Sequence, residues 1–87
     1  ATESVREYVA RLAAYTRRNA RLGVSPRGSL ALLRTAQARA ALDGRGYVIP
    51  DDVQAEAPTV FAHRVRADSG TDGATVVEDA LDRTSVE

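Results

Sequence analysis

The sequence predicts an all-α fold, a small bundle of four helices with a short fifth. Three observations predict it. Between residues 2 and 18, Val5, Tyr8, Val9, Leu12 and Tyr15 recur at intervals of three and four, the spacing that lines one face of a helix. From Gly23 to Gly44 a run rich in alanine and leucine carries a helix signal at each end. Thr75-Val76-Val77-Glu78 matches a capping box, in which a hydroxyl and a carboxylate three residues apart exchange hydrogen bonds with the first turn.

The first helix is expected from Thr2, a plausible cap, to about Arg18. Glu7 precedes Arg11 by four residues in the favourable order. Arg17 and Arg18 suit the negative end of the helix dipole. Asn19 to Val24 connects it to the next helix, broken by Gly23.

The second helix has the clearest ends. The Ser25 hydroxyl can accept a first-turn N–H. Pro26 fits the first helical position, where its missing N–H costs nothing. Gly44 supplies the left-handed residue that commonly stops a helix. Between them Leu30, Ala31, Leu32, Leu33, Ala36, Ala38, Ala40, Ala41 and Leu42 cover most of the circumference. That pattern predicts a central helix packed on several sides.

Asp43-Gly44-Arg45-Gly46 reads as a tight turn, and Tyr47-Val48-Ile49 as a short extended run before Pro50. Asp51 and Asp52 then place negative charge in the first turn of a third helix, with Val53 and Ala57 facing inward. Pro58 either kinks this helix or opens a fourth. Val60, Phe61 and Val65 continue the apolar face, and His63 has no evident task. Residues 66–74 have the composition of a mobile linker. A last helix to about Arg83 would dock through Val76, Val77, Ala80 and Leu81, and the final residues should fray. The expected division is a bundle over 1–66, followed over 67–87 by a linker and a short helix packed on or near it.

The 87 residues suffice for one domain with a modest core. The sequence lacks an initiator Met, so it reads as a piece of a longer protein. There is no cysteine and a single histidine, which argues against disulfides and against zinc. No run is long and apolar enough for a membrane span, and nothing resembles a signal peptide. A cytoplasmic protein is expected. Residues 1–49 carry nine Arg against three acids, +6, and residues 50–87 carry three Arg against nine acids, −6. The halves can attract each other or face different partners. All twelve basic residues are Arg, so GxxxxGK[ST], the phosphate-binding loop, is absent from these residues.

No catalytic constellation is visible. Gly23-Val24-Ser25-Pro26-Arg27 approaches GxSxG but lacks the second glycine and a preceding strand. Asp51 and Asp52 are adjacent and point apart on a helix, which suits first-turn charges better than a general acid and base. Arg17, Arg18 and Arg21 form a basic cluster without interleaved stacking aromatics.

Arg27 is the anomaly. It occupies the second position of its helix, where the backbone already presents partial positive charge and a cation is disfavoured. Such a helix start with a guanidinium beside it suits an anion, phosphate above all. The alternative is an arginine simply pointing into water.

The order of an amphipathic helix, then GVSPRGSLALLRTAQARAALDGRGYVIPDDV, then a proline-containing helix ending AHRV closely resembles the C-terminal lid domain of MoxR-type AAA+ ATPases, the branch related to magnesium chelatase. The resemblance covers about residues 3–66, and GVSPRGSLALLR and GRGYVIPDDV carry most of it. It implies a bundle of the AAA+ lid type in which Arg27 is the sensor 2 arginine. Ser25 and Pro26 form the helix start that positions it. Arg27 would reach the phosphates of ATP held by the neighbouring core domain and couple nucleotide state to lid position. Gly28 departs from the alanine frequent in the family and loosens the first turn.

The resemblance further implies ATP and Mg²⁺ as cofactors of the parent chain, with none for these residues alone. The implied partners are the AAA+ core of the same chain and neighbouring subunits of a homo-oligomeric ring. The implied role is a chaperone-like maturation or activation of client proteins. The competing readings are a stand-alone helical adaptor that binds protein, and an Arg-rich nucleic-acid-binding module.

Overall fold

The computed structural model of the chain describes residues 3–19, 23–62, 65 and 73–84. They form four helices: α1 (Glu3–Asn19), α2 (Pro26–Leu42), α3 (Pro50–Ala62) and α4 (Gly73–Arg83). Each helix packs on its neighbours in a cycle, α1 on α2, α2 on α3, α3 on α4 and α4 back on α1, with only slight contact between α1 and α3. The result is a four-membered bundle around one core.

That core joins all four helices. Tyr8, Val9 and Leu12 enter from α1, Leu32 and Ala36 from α2, Val53, Ala57 and Phe61 from α3, and Val76, Val77 and Ala80 from α4. The predicted stripe of α1 is the buried one, with Tyr15 only partly covered at its margin. Tyr8 is fully buried, and its hydroxyl accepts a hydrogen bond from Gln54 Nε2 at 3.3 Å, which gives a polar tip a partner inside the bundle.

The ends of α2 follow the sequence. Ser25 is extended (φ −76°, ψ 166°), and its hydroxyl accepts from the Gly28 N–H at 3.3 Å. At the other end Gly44 has φ +77°. Its N–H donates to Ala41 O at 3.0 Å and that of Arg45 to Ala40 O at 2.9 Å, the paired bonds of a Schellman stop.

Three expectations are corrected. First, α2 is not enclosed. Only Gly28, Leu32, Ala36 and Ala40 are buried, one row at a spacing of four, whereas Leu30 and Leu42 are exposed. The helix has two neighbours, and one row of Gly28, Ala36 and Ala40 with a single large side chain, Leu32, is enough to seat it on them. Second, Asp52 is more than a first-turn charge. It is buried, unlike its exposed neighbour Asp51, and lies under Arg39 and Arg45. Its carboxylate also accepts from the Ile49 N–H at 2.9 Å, so it closes the start of α3. Third, Thr75 does not cap α4, which already begins at Gly73. Burial of Val76, Val77 and Ala80 against the other helices fixes that helix, and Thr75 is its third residue.

Pro58 does not open a fourth helix; it lies exposed within α3. Tyr47 is exposed and Val48 buried in the run before Pro50. Thr2, Arg21, His63, the linker up to residue 72 and the final residues 85–87 lie outside the described residues.

Candidate functional site

The site predicted from the sequence is the start of α2. Its position is set by the loop in front of it. Val24 is fully buried, and its N–H donates to the Thr16 hydroxyl of α1 at 3.0 Å. Gly23 lies so close to α1 that a Cβ there would stand 2.5 Å from both Cα and N of Arg17. The chain then turns outward, and Ser25, Pro26 and Arg27 are all exposed.

The amides of this first turn are largely committed. Pro26 has none. The N–H of Gly28 is held by the Ser25 hydroxyl, and that of Ser29 by the Ser25 carbonyl at 3.0 Å. An anion arriving here would therefore meet the guanidinium of Arg27 and the field of the helix rather than a cradle of free amides. Arg27 makes no ion pair with a carboxylate among the described residues. It is exposed at the end of the helix where a positive charge is least favoured.

Beside it, a shallow groove of about 320 Å³ runs between α1 and α2. Val9, Ala10, Pro26, Leu30 and Leu33 make its floor, and Arg6 and Arg17 flank it. Leu30 is 47% exposed there. The start of α2 thus combines uncovered apolar surface with cationic side chains.

The other sequence candidates separate from this site. Arg17 and Arg18 are exposed at the end of α1 but have no aromatic platform, since Tyr8 is buried and Tyr15 packs on the core. Asp52 is fully engaged in structure. Among the described residues no cluster of three His, Asp or Glu could hold a metal ion, and no helix is long and apolar enough to cross a membrane. Sequence reasoning missed Thr16. Its signal was a polar residue four positions after Leu12 on the apolar stripe.

Comparison with known proteins shows the family. Residues 12–83 match the family model of the AAA lid domain. The chain is 49% identical over 67 residues to the protein YeaC of Bacillus subtilis, covering 75% of this chain and 21% of YeaC. It is 51% identical over 43 residues to the protein MoxR of Methylorubrum extorquens, covering 49% of this chain and 12% of MoxR. It is 37% identical over 70 residues to the chaperone MoxR1 of Mycobacterium tuberculosis, covering 68% and 19%. A crystal structure of a protein assigned as an ATPase from Cytophaga hutchinsonii superposes with a TM-score of 0.89 at 25% identity, over 97% of this chain and 30% of that one. The chain spans about a fifth or less of the length of these curated relatives. A four-helix fold, a match over most of its length and the MoxR relatives lead to one assignment: the chain belongs to the AAA lid domain family and is a lid of the MoxR-type AAA+ ATPases.

Proposed function

We propose that this lid senses ATP through Arg27 and passes nucleotide state to the rest of a MoxR-type ATPase. One observation carries the reading. Arg27 is exposed at the amino end of α2, without a carboxylate partner among the described residues, where its charge opposes the helix dipole. A residue so placed gives its own fold nothing electrostatically and is well disposed toward an external anion. The residues fit a phosphate. The guanidinium can offer two parallel N–H donors, and Ser25 with Pro26 fixes the turn from which it projects.

In this reading the parent chain would supply the P-loop and the Mg²⁺ site, and Mg²⁺ held there would offset negative charge on the phosphates. Arg27 adds a further positive charge from a separate domain. The partners are the AAA+ core of the same chain and adjacent subunits of a homo-oligomeric ring. The output is a chaperone-like action on client proteins, in line with the chaperone name of the mycobacterial relative.

The test is steady-state ATP hydrolysis by the full-length ATPase carrying this lid. An arginine acting directly on a transferring phosphoryl group is worth roughly 10³-fold or more. A sensor reaching in from another domain should give less, so Arg27→Ala is expected to lower kcat by about tenfold or more. Unchanged kcat and KM would refute the assignment. The 87 residues alone, lacking any lysine for a P-loop, should hydrolyse no ATP above background.

A further inference from the structure

We infer that Thr16 and Gly23 are positioning residues for Arg27: they lock the loop before α2 onto the last turns of α1, so that the arginine and α1 move as one body. This inference rests on the sensing role proposed for Arg27. It starts from how little else holds the start of α2. Ser25, Pro26 and Arg27 are exposed, Gly28 is buried but has no side chain, and Leu32 is the first side chain of α2 to enter the core. About a turn and a half of helix therefore precedes the first packing anchor. The remaining anchor is on the loop side, at Val24.

Thr16 builds that anchor. It is fully buried on the inner face of α1. Its hydroxyl donates to Ala13 O at 2.6 Å and accepts from the Val24 N–H at 3.0 Å. Because a hydroxyl has a single proton, the bond to Ala13 O leaves its lone pairs directed at Val24. The loop amide is thus tied to α1 in a buried setting, where a lost partner is costly. Gly23 supplies the second restraint. It rests on the backbone of Arg17 at a distance no side chain tolerates, 2.5 Å for an added Cβ. Backbone cannot yield as a flexible side chain can, so the loop has one seat on α1. Arg27 follows three residues after Val24. A pull on its guanidinium acts at once on α1, and a tilt of α1 moves the guanidinium.

The test is a set of variants in the full-length ATPase: Arg27→Ala, Thr16→Val, Thr16→Ser, Gly23→Ala and the double variant of Thr16→Val with Arg27→Ala. Thr16→Val keeps the shape and removes the hydroxyl. It should lower kcat by about tenfold with KM for ATP nearly unchanged, the effect of a misplaced rather than a missing group. Thr16→Ser should restore kcat to within about twofold, since it returns both hydrogen bonds. The double variant should be no slower than Arg27→Ala alone, because the two residues act as a unit. In the 87-residue chain, Thr16→Val should release protection of the Val24 amide against exchange while the Leu32 amide stays protected. Gly23→Ala disturbs the same contact from the loop side and should give the same kcat-selective loss, so the idea survives a Thr16 variant that does not fold. An active Thr16→Val enzyme beside a slow Arg27→Ala enzyme overturns this inference alone, as does a double variant whose losses multiply. An unaffected Arg27→Ala enzyme overturns the sensing role and this inference with it.

Discussion

Arg45 and Asp52 meet across the turn between α2 and α3 in a two-toothed ion pair, with Nη1 to Oδ2 and Nη2 to Oδ1 both at 2.8 Å. Asp52 is 1% exposed. The same guanidinium holds Tyr47 O and Asp43, and the same carboxylate accepts the Ile49 N–H and lies 3.8 Å from Arg39. One buried carboxylate therefore ties the end of α2, the turn and the start of α3 together. Removing one member of a buried pair leaves an uncompensated partner and costs about 3 to 5 kcal/mol. Arg45 keeps Asp43 and is partly exposed, so Asp52→Ala should cost near the lower limit, about 3 kcal/mol. Asp52→Asn, which retains an acceptor for Ile49, should cost less. Urea midpoints of the two variants check this.

The same pair sets an acid limit on stability. The Arg45 hydrogen bonds hold the Asp52 carboxyl at about 2, against an ordinary value of 3.8, and outweigh the opposing effect of its burial. A carboxylate with a lowered pKa in the folded state contributes stability that is complete above its unfolded value. That contribution is lost as pH falls from about 4 to about 2. The unfolding free energy should drop over that window in the natural chain, and Asp52→Asn should flatten this part of the profile.

How far the sequence led depends on the range of the forces involved. Signals within one turn were legible: the stripe of Val5, Tyr8, Val9 and Leu12, the Ser25–Pro26 start, the left-handed Gly44, and the misplaced charge of Arg27. Contacts between elements were not. The burial of Asp52 depends on where Arg45 falls after the helix stop, seven residues earlier, and its adjacency to Asp51 argued for a plain surface charge. The enclosure expected for α2 failed for a related reason. Apolar residues around a helix show how much surface could be covered, and only the neighbours decide how much is. Thr16 looked like an interruption of a stripe until the loop amide eight residues away came back to it.

The corrected face of α2 predicts a contrast between two leucines of one helix. Leu32 is fully buried and Leu42 is 88% exposed. Leu32→Ala should cost about 3 kcal/mol, the usual loss for a core leucine with its cavity. Leu42→Ala should stay within about 0.5 kcal/mol. A central α2 would give similar losses at both, so two denaturation curves decide the matter.

Gly23 gives a steric prediction. The alanine methyl would stand 2.5 Å from the Cα and N of Arg17, and neither can move without bending α1. Forcing an atom into a filled space costs about 1 to 3 kcal/mol. Gly23→Ala should fall in that range, and its thermal midpoint should drop accordingly. An unchanged midpoint would mean that the loop has room to lift from α1.

Arg27 opposes stability and function most directly. In the isolated chain its side chain is in water and its charge sits at the positive end of the α2 dipole. Arg27→Ala should therefore leave stability within about 0.5 kcal/mol. Arg27→Glu should do better than the natural residue, by about 0.5 kcal/mol, because an anion at the second helical position is favoured where a cation is not. The gain should shrink as salt is raised, since exposed charges are screened. In the full-length ATPase the order should reverse, with Arg27→Glu slower than Arg27→Ala, because a carboxylate would repel the phosphates that the guanidinium is proposed to meet. A residue retained for its fold would show the same order in both measurements. A stability-optimal glutamate that is the worst choice for hydrolysis would place the purpose of Arg27 outside its own bundle.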